Sequence, residues 1–181
     1  MRAFVGLPCP EGWIGPLVRA QGRLPAGRRV EADDLHLTLA FLDDQPEDRL
    51  ATLDETLDAR PLPAATLRAV SYEALGAGQP RAVVLDVAAD DGLTSLRDRV
   101  RSAARTAGIT LARDRFRPHM TLTRYSRSAP CDTDRLPGLL ARLGRPDLPP
   151  VQATGATLWS SVLTPDGPLY EPLSTYPLRA A

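Results

Sequence analysis

The spacing of apolar and polar positions along this chain of 181 residues changes several times, and each change marks an element. Two short runs, residues 35–42 and 116–125, carry an alternating apolar pattern around a histidine. In a β-strand, residues i and i+2 share a face. Leu37 and Leu39 therefore point to a core, with His36 and Thr38 on the other side. Met120 and Leu122 stand in the same relation to His119 and Thr121. A helical period replaces the alternation at residues 11–21, 47–59, 92–107 and 134–143. In the third of these, Leu93, Leu96, Val100, Ala103 and Ala107 form an apolar stripe, and Asp90 or Asp91 stands where a cap is needed. The turn signals Gly76-Ala77-Gly78-Gln79-Pro80 and Pro165-Asp166-Gly167-Pro168 divide two expected hairpins, 66–75 with 81–87 and 151–163 with 169–178.

The pattern occurs twice. After the first alternating run come Asp48-Arg49-Leu50 at the head of a helix and then Leu62-Pro63; after the second come Asp134-Arg135-Leu136 and Leu148-Pro149. Counted from the preceding histidine, the first pair lies 12 and 26 residues on, the second 15 and 29. One three-residue loop insertion explains both offsets, as expected of a duplicated unit. No linker separates the halves. The expectation is one α+β domain over residues 1–181, with two pseudo-symmetric lobes of antiparallel sheet backed by helices. The motif strands would face each other across a central groove.

Composition narrows the class. Apolar residues make up 43 %, charged residues 24 %, and the formal net charge is zero, which excludes a disordered chain and broad electrostatic capture of long duplexes. All 22 basic residues are arginine, a usage that goes with the abundance of alanine, glycine and proline in a GC-rich coding sequence. Arg113, Arg115, Arg117, Arg124 and Arg127 surround residues 119–122 in the second run, and Arg28 and Arg29 precede the first run, so a local basic patch is compatible with neutrality. No apolar stretch is long enough for a membrane span, and residues 1–8 read as a short strand rather than a signal peptide. A cytoplasmic, monomeric protein is the expectation. Cys9 and Cys131 fit neither a disulfide framework nor a metal-ligand spacing.

The candidate chemistry lies in the alternating runs. The chain has only two histidines, and each begins the word His-x-Thr-apolar: His36-Leu37-Thr38-Leu39 and His119-Met120-Thr121-Leu122. Threonine fills 14 of 181 positions, so two unrelated histidines would both carry the pattern with a chance of roughly 0.6 %. One such word would suit a hydrogen-bonded histidine on a half-buried strand. The identical duplication points instead to two imidazoles, each with a hydroxyl neighbour, clamping one phosphate between an acid and a base. Two histidines without a carboxylate cluster make a poor hydrolytic metal site, so neither metal nor other cofactor is expected.

These residues resemble the two-histidine phosphoesterase superfamily, and within it the RNA 2′,3′-cyclic phosphodiesterases historically called 2′-5′ RNA ligases. The resemblance runs from Arg2-Ala3-Phe4-Val5-Gly6-Leu7 through both motifs to Leu158-Trp159-Ser160-Ser161 and Tyr170-Glu171-Pro172-Leu173. Arg117-Pro118 before the second motif and Arg124 after it mark the branch; Asp43 stands where the family has glycine. The resemblance implies hydrolysis of RNA or oligonucleotide 2′,3′-cyclic phosphate ends to 2′-phosphomonoesters, with possible reverse 2′-5′ ligation. It also implies His36 as proton donor, His119 as base, and Thr38 and Thr121 as donors to phosphate oxygens. Arg124 would add charge, although strict alternation sets it on the face away from His119 unless the strand twists near Thr123. Phe41 and Tyr125 are read as core or strand-edge residues before base-stacking surfaces. The competing readings are a phosphodiesterase for a small cyclic nucleotide or ADP-ribose cyclic phosphate, and an RNA-end-binding module without turnover.

Overall fold

A computed structural model describes residues 1–179. In chain order the elements are β1 (Arg2–Pro8), α1 (Glu11–Gln21), β2 (Arg28–Arg29), a short 3₁₀ turn (Ala32–Asp34), β3 (His36–Asp44) and α2 (Glu47–Asp58). Next come β4 (Leu62–Pro63), β5 (Thr66–Leu67), β6 (Ala69–Leu75), β7 (Ala82–Val87) and α3 (Asp91–Thr106). The chain continues with β8 (His119–Arg124), α4 (Leu136–Leu143), β9 (Val151–Gln152), β10 (Gly155–Thr164) and β11 (Gly167–Arg179). The larger sheet runs β4-β11-β10-β1-β3-β8-β7-β6, with β2 also on β8. Among the described residues, only the β11–β4 pair in it is parallel. The α+β class and the two antiparallel lobes are therefore present, joined edge to edge.

The seam between the lobes is one bridge, Leu37↔Met120. Each of these residues directly follows a motif histidine, so a pseudo-two-fold axis passes through the bridge. The same axis relates β5 and β9, where Thr66 pairs with Gln152; each is the fourth residue after its Leu-Pro leucine. Both expected hairpins form, but each sits in the opposite lobe from the motif it follows. β6 and β7 extend from β8, while β10 and β11 extend from β1 beside β3. Each hairpin's first strand is also broken, at Arg68 and at Ala153-Thr154, which frees β5 and β9 to pair with one another.

The helices cover one side of the sheet. On α1, Trp13, Leu17 and Ala20 are buried at helical spacing, and Trp13 Nε1 donates to the Pro149 carbonyl at 2.9 Å. α3 buries Leu93, Leu96, Val100 and Ala104, and Asp90 caps it by accepting from the Leu93 amide. α1 packs behind β8 and α3 behind β3, so each motif strand is backed by the helix that precedes the other motif. The expected helix at 134–143 begins only at Leu136. The Asp132 carboxylate accepts from the amides of Asp134 and Arg135, which holds that stretch as a turn. The strand expected at 116–125 begins only at His119, after Pro118, which has no amide to offer the ladder.

Candidate active site

The two motifs are built alike. Leu37, Leu39, Met120 and Leu122 are buried in the core, while His36, Thr38, His119 and Thr121 lie partly exposed on the other face. His36 Nδ1 donates to the carbonyl of Asp34 at 2.6 Å, and His119 Nδ1 donates to the carbonyl of Arg117 at 2.7 Å. A carbonyl can only accept, so each Nδ1 carries its proton and each Nε2 is left for other work. The antiparallel register around Leu37↔Met120 sets each histidine across from the other motif's threonine. Histidines placed diagonally in this way stand about 7–8 Å apart by the usual strand geometry, room for one phosphate between them.

A bulge follows each motif at the same step. Gly6 pairs with Thr38 but Val5 with Ala40, leaving Leu39 extra; Val84 pairs with Thr121 but Val83 with Thr123, leaving Leu122 extra. The extra residue reverses the alternation, so the fifth residue after each histidine swings onto the histidine's face. Those residues are Phe41 and Arg124. The twist that Arg124 needs is thus supplied by the Leu122 bulge. The spare Leu122 carbonyl accepts from the Val30 amide at 2.9 Å and from Gln21 Nε2 at 2.8 Å, tying the bulge to α1 and the approach to β3. Phe41 is no core residue: it is 45 % exposed, with the Arg2 guanidinium 4.7 Å above its ring. Tyr125 is buried, as core packing requires, and its hydroxyl reaches the Pro25 carbonyl.

A cavity of about 370 Å³ opens beside the first motif, lined by His36, Thr38, Phe4, Phe41, Tyr170 and three arginines, Arg2, Arg28 and Arg124, among others. His119 and Thr121 stand outside its lining. Phe4 stacks on the His36 ring at 4.7 Å between centroids, Tyr170 meets it edge-on at 5.2 Å, and Trp159 lies behind at 5.6 Å. This aromatic packing removes water from His36. Desolvation lowers its pKa below the ordinary histidine value; its backbone partner Asp34 works the other way, and the charges of Arg124 and His119 lower it further. Around His119 the charges differ. Its cross-strand neighbour is Asp86, whose pKa is raised by burial and by Glu73, against the opposing pull of Arg117 and His119. Arg117 pairs with Glu73 and lies 3.8 Å from Asp86. The groove is therefore cationic and aromatic at His36, and bordered by carboxylates at His119.

All five residues singled out from the sequence lie on the two motif strands. Arg2, Phe4, Trp159 and Tyr170 were not singled out as site residues. Strands distant in sequence bring them in, and no local period reports that. Among the described residues, no group of three or more His, Cys, Asp or Glu side chains is gathered as a metal site. Both cysteines are free, and burial pushes the Cys9 thiol up to about 12, so it is no nucleophile.

The family model for the 2′-5′ RNA ligase superfamily matches residues 10–162. The chain belongs to that superfamily. It is similar to the RNA 2′,3′-cyclic phosphodiesterase of Archaeoglobus fulgidus, with 27 % identity over 97 % of this chain and 99 % of the relative. It is also similar to the protein of the same name from Thermus thermophilus, with 32 % identity over 99 % and 91 %. Among solved structures it matches a Thermus thermophilus protein with a TM-score of 0.75, at 27 % identity over 99 % of both chains. It matches Escherichia coli LigT in complex with ATP with a TM-score of 0.72, at 26 % identity over 98 % of this chain and 96 % of the other.

Proposed function

We propose that this superfamily member hydrolyses RNA 2′,3′-cyclic phosphate ends to 2′-phosphomonoesters, using His36 and His119 as its acid and base within a single domain. The observation that carries the reading is the bridge Leu37↔Met120, with the two motif histidines set diagonally across it and each Nδ1 bound to a backbone carbonyl. The relatives named RNA 2′,3′-cyclic phosphodiesterase support the substrate class.

In the proposed step, Nε2 of neutral His119 takes a proton from water as the water oxygen bonds to phosphorus. The bond from phosphorus to O3′ breaks, and protonated His36 supplies the proton that O3′ needs to leave as a hydroxyl. Thr38 and Thr121 donate to the non-bridging oxygens, and Arg124 balances their charge. His36 in the free protein gives up its proton readily, which makes it a strong donor once charged. The bound phosphate anion offsets the Arg124 charge and favours recharging it. After turnover the two histidines exchange protons with solvent to reset.

Run backwards, the same chemistry joins a cyclic end to a 5′-hydroxyl through a 2′-5′ linkage without ATP; bulk water favours hydrolysis. No helix among the described residues is long and apolar enough to cross a membrane, and action in the cytoplasm as a monomer completes the proposal. The test is to incubate the protein in EDTA with short RNAs bearing 2′,3′-cyclic ends, and with cyclic mononucleotides and ADP-ribose cyclic phosphate, and to identify the products. A 2′-phosphomonoester from RNA is expected. RNA that stays bound and unchanged would make the protein an end-binding module, and turnover of the small cyclic compounds alone would move the substrate class.

A further inference from the structure

The cavity beside His36 carries more positive charge than one cyclic phosphate needs. Arg2, Arg28 and Arg124 line it, and among the described residues no carboxylate does. In a chain of zero net charge, this concentration is local. Arg28 and Arg124 are also direct cross-strand partners on β2 and β8, a like-charge placement that weakens strand pairing. Arg28 is held at the cavity by the turn between β10 and β11: its Nη1 donates to the Asp166 carbonyl at 3.1 Å. A Cβ on Gly167 would overlap that same nitrogen, so the bare glycine at the start of β11 leaves the guanidinium room beside the turn. Asp166, with Glu31 and Asp34, lines a smaller adjoining cavity on the other side of Arg28. The contact with the turn engages one of five N–H donors, and the others remain for an anion.

From these observations we infer that Arg28, with Arg2, binds a second phosphate, the one that links the terminal nucleotide to its 5′ neighbour. The inference rests on the proposed function and deepens it: the preferred substrate is an oligonucleotide end, and a cyclic mononucleotide is a poor one because it lacks this phosphate. The cavity's size, about 370 Å³, leaves space past the His36–Thr38 end. Its apolar wall of Phe41, Leu163 and Pro168 gives the neighbouring nucleoside a surface to rest on, and Leu163 is 66 % exposed without such a cover.

The experiment compares kcat/KM for three probes: adenosine 2′,3′-cyclic monophosphate, a diadenosine dinucleotide with a 2′,3′-cyclic end, and the same dinucleotide with an uncharged methylphosphonate linkage. The natural dinucleotide should exceed its methylphosphonate analogue by about ten-fold or more, the effect of losing a charge-assisted hydrogen bond. In Arg28→Gln that preference should shrink to about two-fold, with Arg2→Gln giving a smaller reduction. Equal rates for the two dinucleotides in the unmodified protein, or a preference unchanged by Arg28→Gln, would overturn the inference while the proposed function stands. Failure of all three probes to turn over would instead remove the proposed function, and the inference with it.

Discussion

Gly6→Ala probes the positioning of the first motif without touching a residue that meets substrate. Gly6 lies on β1 opposite Thr38, next to the bulge at Leu39. A Cβ there would sit 2.5 Å from the Leu37 carbonyl oxygen and 3.3 Å from Trp159 Cζ3. The first contact is with backbone, which cannot rotate away, so β1 and β3 must separate by roughly an ångström. Overpacking of this kind costs about 1–3 kcal/mol, which for a domain of this size lowers Tm by roughly 2–12 °C. Leu37 is half of the seam bridge, so the displacement also moves His36 relative to His119. A misplacement of about 1 Å costs up to about 10²-fold in rate. The assay pairs a thermal melt with kcat on a cyclic-ended RNA, and Gly12→Ala serves as control because nothing lies within 4 Å of a Cβ built on that α1 glycine. The control should keep full activity and gain up to about 1 kcal/mol from better helix propensity. Gly6→Ala with unchanged Tm and kcat would refute the reasoning that β1 fixes the motif by close backbone contact.

Other expectations are as direct. Asp43 is the one non-glycine residue with positive φ among those described, at 61°, in the position where the resemblance expects glycine; Asp43→Gly should raise stability by up to about 1 kcal/mol in denaturant melts, and a loss of stability would show that its exposed pairing with Arg2 matters more. Thr38→Val and Thr121→Val keep shape but remove a hydroxyl; each should lower kcat/KM by roughly ten-fold, appearing in kcat if the bond forms mainly in the transition state. Unaltered kinetics in both would remove the threonines from the site. The pH profile of kcat/KM should be a bell that EDTA does not change, its limbs belonging to the coupled histidines. Arg124 lowers the His36 pKa, so Arg124→Gln should move one limb to higher pH; a downward shift, or none, would contradict that electrostatic account.

How much of this is legible in the sequence follows from the range of the interactions. The alternation around His36 and His119 is a local property, and so is the duplication that supplies the axis with its two halves. Helix α3 is equally plain, because its stripe and its Asp90 cap lie within one element. The failures are long-range. Nothing in residues 66–75 or 151–163 says that their first residues leave the hairpins to pair with each other. The bulges at Leu39 and Leu122 arise from partners on β1 and β7, so period-two counting misassigns the side of Phe41 and leaves Arg124 on the wrong face. The aromatic packing on His36 draws Phe4, Trp159 and Tyr170 from three strands, and only the assembled sheet brings them together.

The central claim is that the two histidines act as one acid and one base on a cyclic phosphate. Turnover of a 2′,3′-cyclic-ended RNA by His36→Ala and by His119→Ala, each checked for an unchanged melt, tests it most directly. Each variant should lose roughly 10²–10⁴-fold in kcat, the usual range for removing a general acid or base. Either variant working at close to the original rate would contradict the account.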